Sequence, residues 1–165
     1  KSSRRLKNNM EKISEAIYKA LRDDSETTNG LRTLLGNTAT NPFNVYHAFL
    51  PDGIDFSPSA GLKGFVTYQF VSGVPEPGIS SEDNRLLEEV YSINAYHRTL
   101  TQLEKIHRRI KWRLQNARSV TNPTSESQLY LIRLDNMGPI RFDEAFNVYW
   151  QLAQYRAWLR DDDLR

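Results

Sequence analysis

The stretch FNVYWQLAQYRAWLR, Phe146 to Arg160, decides the fold because it carries two periodicities at once. At helical spacing Phe146, Tyr149, Ala153, Tyr155 or Arg156, and Leu159 fall on one side. At strand spacing Val148, Trp150 and Leu152 alternate with their neighbours. A long terminal helix implies a bundle or a coiled partner, whereas an aromatic strand implies a sheet that another element must cover. The preceding residues choose between them. QLYLIRL, residues 128–134, is short and β-rich, and DNMGPIRFDE, residues 135–144, turns at Gly138 and Pro139. A strand, a Gly-Pro turn and a second aromatic run make a hairpin. Residues Asn147 to Leu159 are therefore predicted to be a strand, with a bulge where the alternation changes phase.

Working outward, GFVTYQFVSG (64–73) sets Val66, Tyr68 and Phe70 against Phe65, Thr67 and Gln69. EEVYSINAYHR (88–98) sets Tyr91, Ile93 and Ala95 against Ser92, Asn94 and Tyr96. Both are strands with one apolar face, joined through VPEPGISSEDN as a hairpin with a long tip from Gly73 to Asn84. NVYHAF (44–49) reads as a short strand, and LPDGIDFSPSAG (50–61) as a loop. Two helices complete the set. In NNMEKISEAIYKALRDD, Met10, Ile13, Ala16, Ile17, Ala20 and Leu21 share a face, and LRTLLG adds one turn closed by Gly36. In TLTQLEKIHRRIKWRLQNA, Thr99 caps a helix whose stripe is Leu100, Leu103, Ile106, Ile110 and Leu114. The expected architecture is α+β: a mainly antiparallel sheet of about five strands with two principal helices packed on one face.

At 165 residues this is one domain, expected to span 10–165 behind a flexible basic arm, KSSRRLKNN, at 1–9. Met10 is a workable initiation site, which leaves those nine residues as either an arm or a remnant. With no Cys there are no disulfides and no thiolate chemistry, which fits a reducing compartment. The first apolar block is periodic and broken by Ser14, Glu15 and Lys19, so no signal peptide is expected. No apolar run approaches the roughly 18 residues of a membrane helix.

Chemistry is sparse. His47, His97 and His107 lack metal-ligand spacing, and no phosphate-cradling Gly loop or nucleophile motif is present. Asp143 with Glu144, and Glu88 with Glu89, read as solubilising pairs rather than an acid and a base. Asp161, Asp162 and Asp163 read as a solvated acidic end. No enzyme activity, cofactor or metal is expected. The net charge of +2 does not by itself declare a nucleic-acid binder. The helix at 99–118 nonetheless carries Lys105, Arg108, Arg109, Lys111, Arg113 and Arg118 against Glu104. A small nucleic-acid-binding module using this helix and the basic arm is therefore the alternative reading.

The order of elements resembles the tail terminator or tail-completion proteins of long-tailed bacteriophages. The likeness rests on Ile17, Ala20, Leu21 and Asp24 in the opening helix, and on Leu34, Leu35 and Gly36 in the Leu-rich turn. It continues through Val66, Tyr68 and Gln69 in a strand and Tyr155, Arg156 and Trp158 near the end, spanning about Met10 to Trp158. The chain departs from that pattern in its basic arm, its PDGIDFSPSAG insertion and its long hairpin tip. The resemblance implies a non-enzymatic neck protein in the virion, made in the host cytoplasm. It would form a ring, usually of six copies, that caps the tail tube and joins it to the head connector. Its partners would be further copies of itself, the tail tube protein and a head-completion or connector protein, with DNA only as passing cargo and no membrane.

Helical geometry adds one reading of its own. Trp112 falls opposite the apolar stripe, near Lys105, Arg108 and Arg109, where a large ring suits an interface better than a core. The bland account pairs it with Arg108 one turn earlier. Trp112, Arg108 and Arg109, with Pro75, Glu76 and Pro77 of the hairpin tip and Trp158 of the last strand, are the expected contacts with a neighbouring subunit or neck protein. Lys105, Arg108 and Arg109 should face away from a DNA channel, because gripping several phosphates would hinder passage.

Overall fold

A computed structural model describes residues 14–24, 26–36, 44–48, 63–75, 85–115 and 128–161. The basic arm, the 50–61 loop, residues 76–84 of the hairpin tip and residues 162–165 lie outside them. Helix α1 covers residues 14–22, followed by the single turn α2 (Leu31–Leu34) and, later, α3 (Leu100–Gln115). The strands are β1 (Val45–His47), β2 (Gly64–Pro75), β3 (Arg85–His97), β4 (Gln128–Met137), β5 (Arg141–Asp143) and β6 (Val148–Asp161). They form one six-stranded sheet ordered β1-β2-β3-β6-β4, with β5 also on β6. The fold is α+β, antiparallel except where β1 runs parallel to β2.

The opening stretch is a strand. β6 pairs with β3 without interruption from Tyr149 opposite His97 to Asp161 opposite Arg85. The expected bulge is therefore not in β6 against β3. The irregularities lie between β6 and β4, at Leu129/Leu131 and Leu134/Asn136, and a third lies in β2 between Phe70 and Ser72. The strand count also exceeds the expected five, because residues 141–143, read as turn, pair with Val148–Trp150 as β5. Asp143 makes that possible. Its Oδ1 accepts the backbone N–H of Ala145 and Phe146 at 2.9 and 3.2 Å, closing a tight turn that ends at Asn147 with φ of 53°. The hairpin tip is shorter than read, since β2 continues to Pro75 and β3 begins at Arg85.

Alternation along the strands gives the sheet two unlike faces. Val66, Tyr68, Tyr91, Ile93, Ala95, Ala153, Tyr155 and Ala157 form one core cluster with Ile17, Leu21, Leu31 and Leu35, and with Leu103, Ile106, Ile110 and Leu114 of α3. Small residues on β6 let α3 lie close to the sheet. On α3 the stripe differs from expectation at one end: Leu100 is 42% exposed, and His107 takes a buried place instead. His107 follows Leu103 by four residues, so helical spacing puts it on the core side.

The second face carries a row of directly opposed side chains across four strands. Phe65 stacks on Tyr96 with ring centroids 4.1 Å apart, Tyr96 on Trp150 at 6.1 Å, and the Arg141 guanidinium sits 5.5 Å from the Trp150 ring. Their register partners match, Phe65↔Tyr96↔Trp150↔Arg141, so the row is a cross-strand ladder and fixes the sheet's register. Further along the same face Arg156 pairs with Glu88 at 2.7 Å and Asp135 at 3.0 Å.

Candidate subunit interface

Of the carboxylates read as solubilising pairs, Glu88, Glu89 and Asp143 have separate structural duties, while Glu144 is exposed. Glu88 and Glu89 are consecutive on β3 and so point to opposite faces. Glu88 holds Arg156, while Glu89 is buried on the core side and accepts the Tyr91 hydroxyl at 2.9 Å. Burial raises the Glu89 carboxyl above its usual range, and the Tyr91 bond only partly opposes this. Neither the Glu88–Glu89 pair nor Asp143, tied to its turn, gives two carboxyls aimed at one substrate. Among the described residues no group of His, Asp and Glu is placed to hold a metal ion, and no helix is long and apolar enough to cross a membrane.

The most distinctive feature is on the outer side of α3. Its basic face is not uniformly solvated. Arg109 reaches across to the loop after α1, donating to Asp24 from Nε at 2.7 Å and from Nη2 at 2.5 Å, and its Nη1 contacts Glu26 at 2.5 Å. Asp24 is 2% exposed and also accepts the Leu31 N–H at 2.9 Å. One carboxylate thus anchors the start of α2 and the middle of α3 together. Burial alone would favour its neutral form, but the bonds from Arg109 and Leu31, with the charges of Arg109 and Arg113, outweigh this and hold it below the usual carboxylate range. Arg113 adds a second strap, donating from Nε to the Ala20 carbonyl at 2.8 Å. Gly30 is needed where the two segments meet, since an added Cβ would lie 2.1 Å from the Glu26 carbonyl oxygen.

With Arg109 fixed, its guanidinium lies 4.5 Å from the centre of the Trp112 ring. The cation beside Trp112 is therefore Arg109, three residues earlier, and not Arg108 as read from the helical turn. Trp112 is 51% exposed, and with Lys105, Arg108, Arg109, Asn29 and Leu34 it lines an open cleft of about 360 Å³ between α2 and α3. Lys105 and Arg108 are exposed, and neither has an ion pair among the described residues. The cleft sets a half-exposed Trp ring beside Arg108 and Arg109, and Trp and Arg are the residue types enriched where protein interfaces concentrate their energy.

The other expected contact residues are not gathered there. Trp158 lies on the second face of the sheet, half-buried opposite Glu88 on β3 and Leu131 on β4. Pro75 ends β2, and Glu76 and Pro77 lie outside the described residues. Sequence reasoning missed Asn29, Leu34 and the Asp24–Arg109 clamp. Asp24 and Arg109 stand 85 positions apart, and no local pattern links them.

The same fold occurs in a chain of the virion of a native gene transfer agent particle. The two share 14% sequence identity and a TM-score of 0.58, over 88% of this chain and 92% of that one. No family model and no curated protein matches the sequence.

Proposed function

We propose that this chain is a structural, non-enzymatic protein of a phage-like virion. It closes with further copies of itself into a six-membered ring at the neck, caps the tail tube and joins it to the head connector. The observation that carries the reading is the fold held in common, over nearly the whole of both chains, with a component of a gene transfer agent virion. The residue-level resemblance to tail-completion proteins points the same way. Physical considerations support a ring: the α2–α3 cleft with Trp112 is a surface suited to a partner, and a head-to-tail contact between identical copies closes as a ring when its rotation permits.

The nucleic-acid alternative is weakened by the clamp. Arg109 and Arg113 bind groups of their own subunit, which removes two of the cations a phosphate-tracking face would use.

Joining of heads to tails in vitro tests the proposal. Adding the purified chain to heads and tails made without it should yield joined particles, and Trp112→Ala should reduce joining. Trp112→Ala should leave the monomer's unfolding midpoint nearly unchanged, because a half-exposed ring over Arg109 contributes about 0.5–1 kcal/mol. Full joining by Trp112→Ala would remove Trp112 from the interface. Failure of the unmodified chain to join particles would remove the neck assignment.

A further inference from the structure

The α2–α3 cleft has an occupant encoded in the same chain. β6 ends at Asp161, and the sequence continues with Asp162, Asp163 and Leu164, which lie outside the described residues: three consecutive acids followed by an apolar residue. The cleft offers the complement: Lys105 and Arg108 exposed at its rim, with Leu34 and the Trp112 ring as apolar walls. We propose that the Asp-Asp-Asp-Leu segment of a second copy docks in this cleft, its carboxylates on Lys105 and Arg108 and Leu164 between Leu34 and Trp112. This rests on the ring reading and supplies a link between neighbouring subunits.

The topology requires the segment to come from another copy. β3 and β4 run parallel on either side of β6, and β4 begins opposite Arg160, so α3 must carry the chain back along the sheet from His97. Asp161 lies opposite Arg85, twelve residues from His97, which is about 40 Å of strand. Arg108 is about 12 Å into α3. The end of β6 therefore stands roughly 25–30 Å from Arg108 along the sheet, and four extended residues span at most about 14 Å.

The local charge favours a carboxylate peptide over a nucleic-acid strand. Asp24 and Glu26 already face Arg109, so Lys105 and Arg108 are the lining cations with no ion pair among the described residues. Lys105 and Arg108 can meet two adjacent carboxylates, but two cations are too few to follow a run of phosphates along a nucleotide backbone. A short acidic peptide needs little net charge when an apolar side chain follows it.

Calorimetric titration of the full chain with the synthetic peptide LRDDDLR tests this. LRNNNLR and a single-stranded oligonucleotide of seven nucleotides serve as comparisons. Saturable binding of LRDDDLR is expected, at least about tenfold weaker for LRNNNLR and for Arg108→Glu, which corresponds to about 1.4 kcal/mol. Equal binding of the two peptides, absence of binding, or tighter binding of the oligonucleotide would overturn the proposal. Assembly separates it from the ring reading. If Asp162→Asn/Asp163→Asn forms rings as readily as the unaltered chain, the tail contact is wrong and the ring stands. If LRDDDLR binds as expected but no ring forms under any condition, the cleft's preference is upheld and the ring reading fails.

Discussion

Asp24→Ala is expected to lower the unfolding free energy by about 3 kcal/mol, and the midpoint by roughly 10 °C for a chain of this length. The figure sits at the low end for breaking a buried ion pair because Arg109 keeps 15% of its side chain in water. The loss has two parts. Arg109 is left without its bidentate acceptor in a mostly enclosed position, and the Leu31 N–H at the start of α2 loses its partner. Adding Arg109→Met should recover the part due to the unpaired guanidinium, while the part due to the unpaired Leu31 N–H remains. The pH dependence follows from direction. The folded-state pKa of Asp24 is depressed below 3.8, so its contribution is complete above about pH 5 and is lost as pH falls through the folded value. Denaturant melts at pH 7 would settle the matter, and a loss below 1 kcal/mol would mean the clamp is dispensable.

His107 should make the fold acid-sensitive below about pH 6.5. It is 3% exposed on the core side of α3, and neither ring nitrogen has a hydrogen bond of ordinary geometry among the described residues. Burial pushes its pKa from 6.5 down to about 4, with the Gln151 backbone opposing slightly. The unfolded chain thus binds a proton more readily than the folded one between those values. Stability is unaffected by this group above about pH 6.5 and declines as pH falls toward 4, by on the order of 3 kcal/mol in all. His97, also buried and also lowered, adds in the same direction. His107→Leu should flatten the decline between pH 6.5 and 4 and match or exceed the parent stability at pH 7. Because the raised Glu89 carboxyl acts in the opposite direction, the readout is the difference between the two chains: the same pH slope in the parent and in His107→Leu across that window would contradict this placement of the histidine.

β2 and β3 were legible because one face of each is apolar at period two, and α3 because its leucines and isoleucines recur at helical spacing. β6 was ambiguous because its more apolar-looking series, Val148, Trp150 and Leu152, belongs to the second face. Its core side is made of Ala153, Tyr155 and Ala157, too small or too polar to stand out. Leu100 and His107 stand seven residues apart and so on nearly the same side of α3, but Leu100 opens the helix and is exposed, while His107 lies at its middle over the core; face alone does not distinguish them. β5 was hidden because three residues beside a Gly-Pro turn carry no periodicity; pairing with β6 makes them a strand. The clamp was invisible for a different reason. Asp24 looked like one more acid at a helix end, and its partner lies 85 residues away, so only tertiary packing reveals that Arg109 belongs to the subunit's own framework. Trp112 was legible as a surface residue, because a ring opposite the apolar stripe cannot reach the core.

The ring is the central claim, and the most direct test is the mass and shape of the purified chain's assemblies. Mass photometry with negative-stain microscopy, alone and with tail tubes present, is expected to give closed annular particles of six times the 19.1 kDa subunit mass, with an open centre. Monomers under both conditions, or open filaments in place of rings, would contradict it.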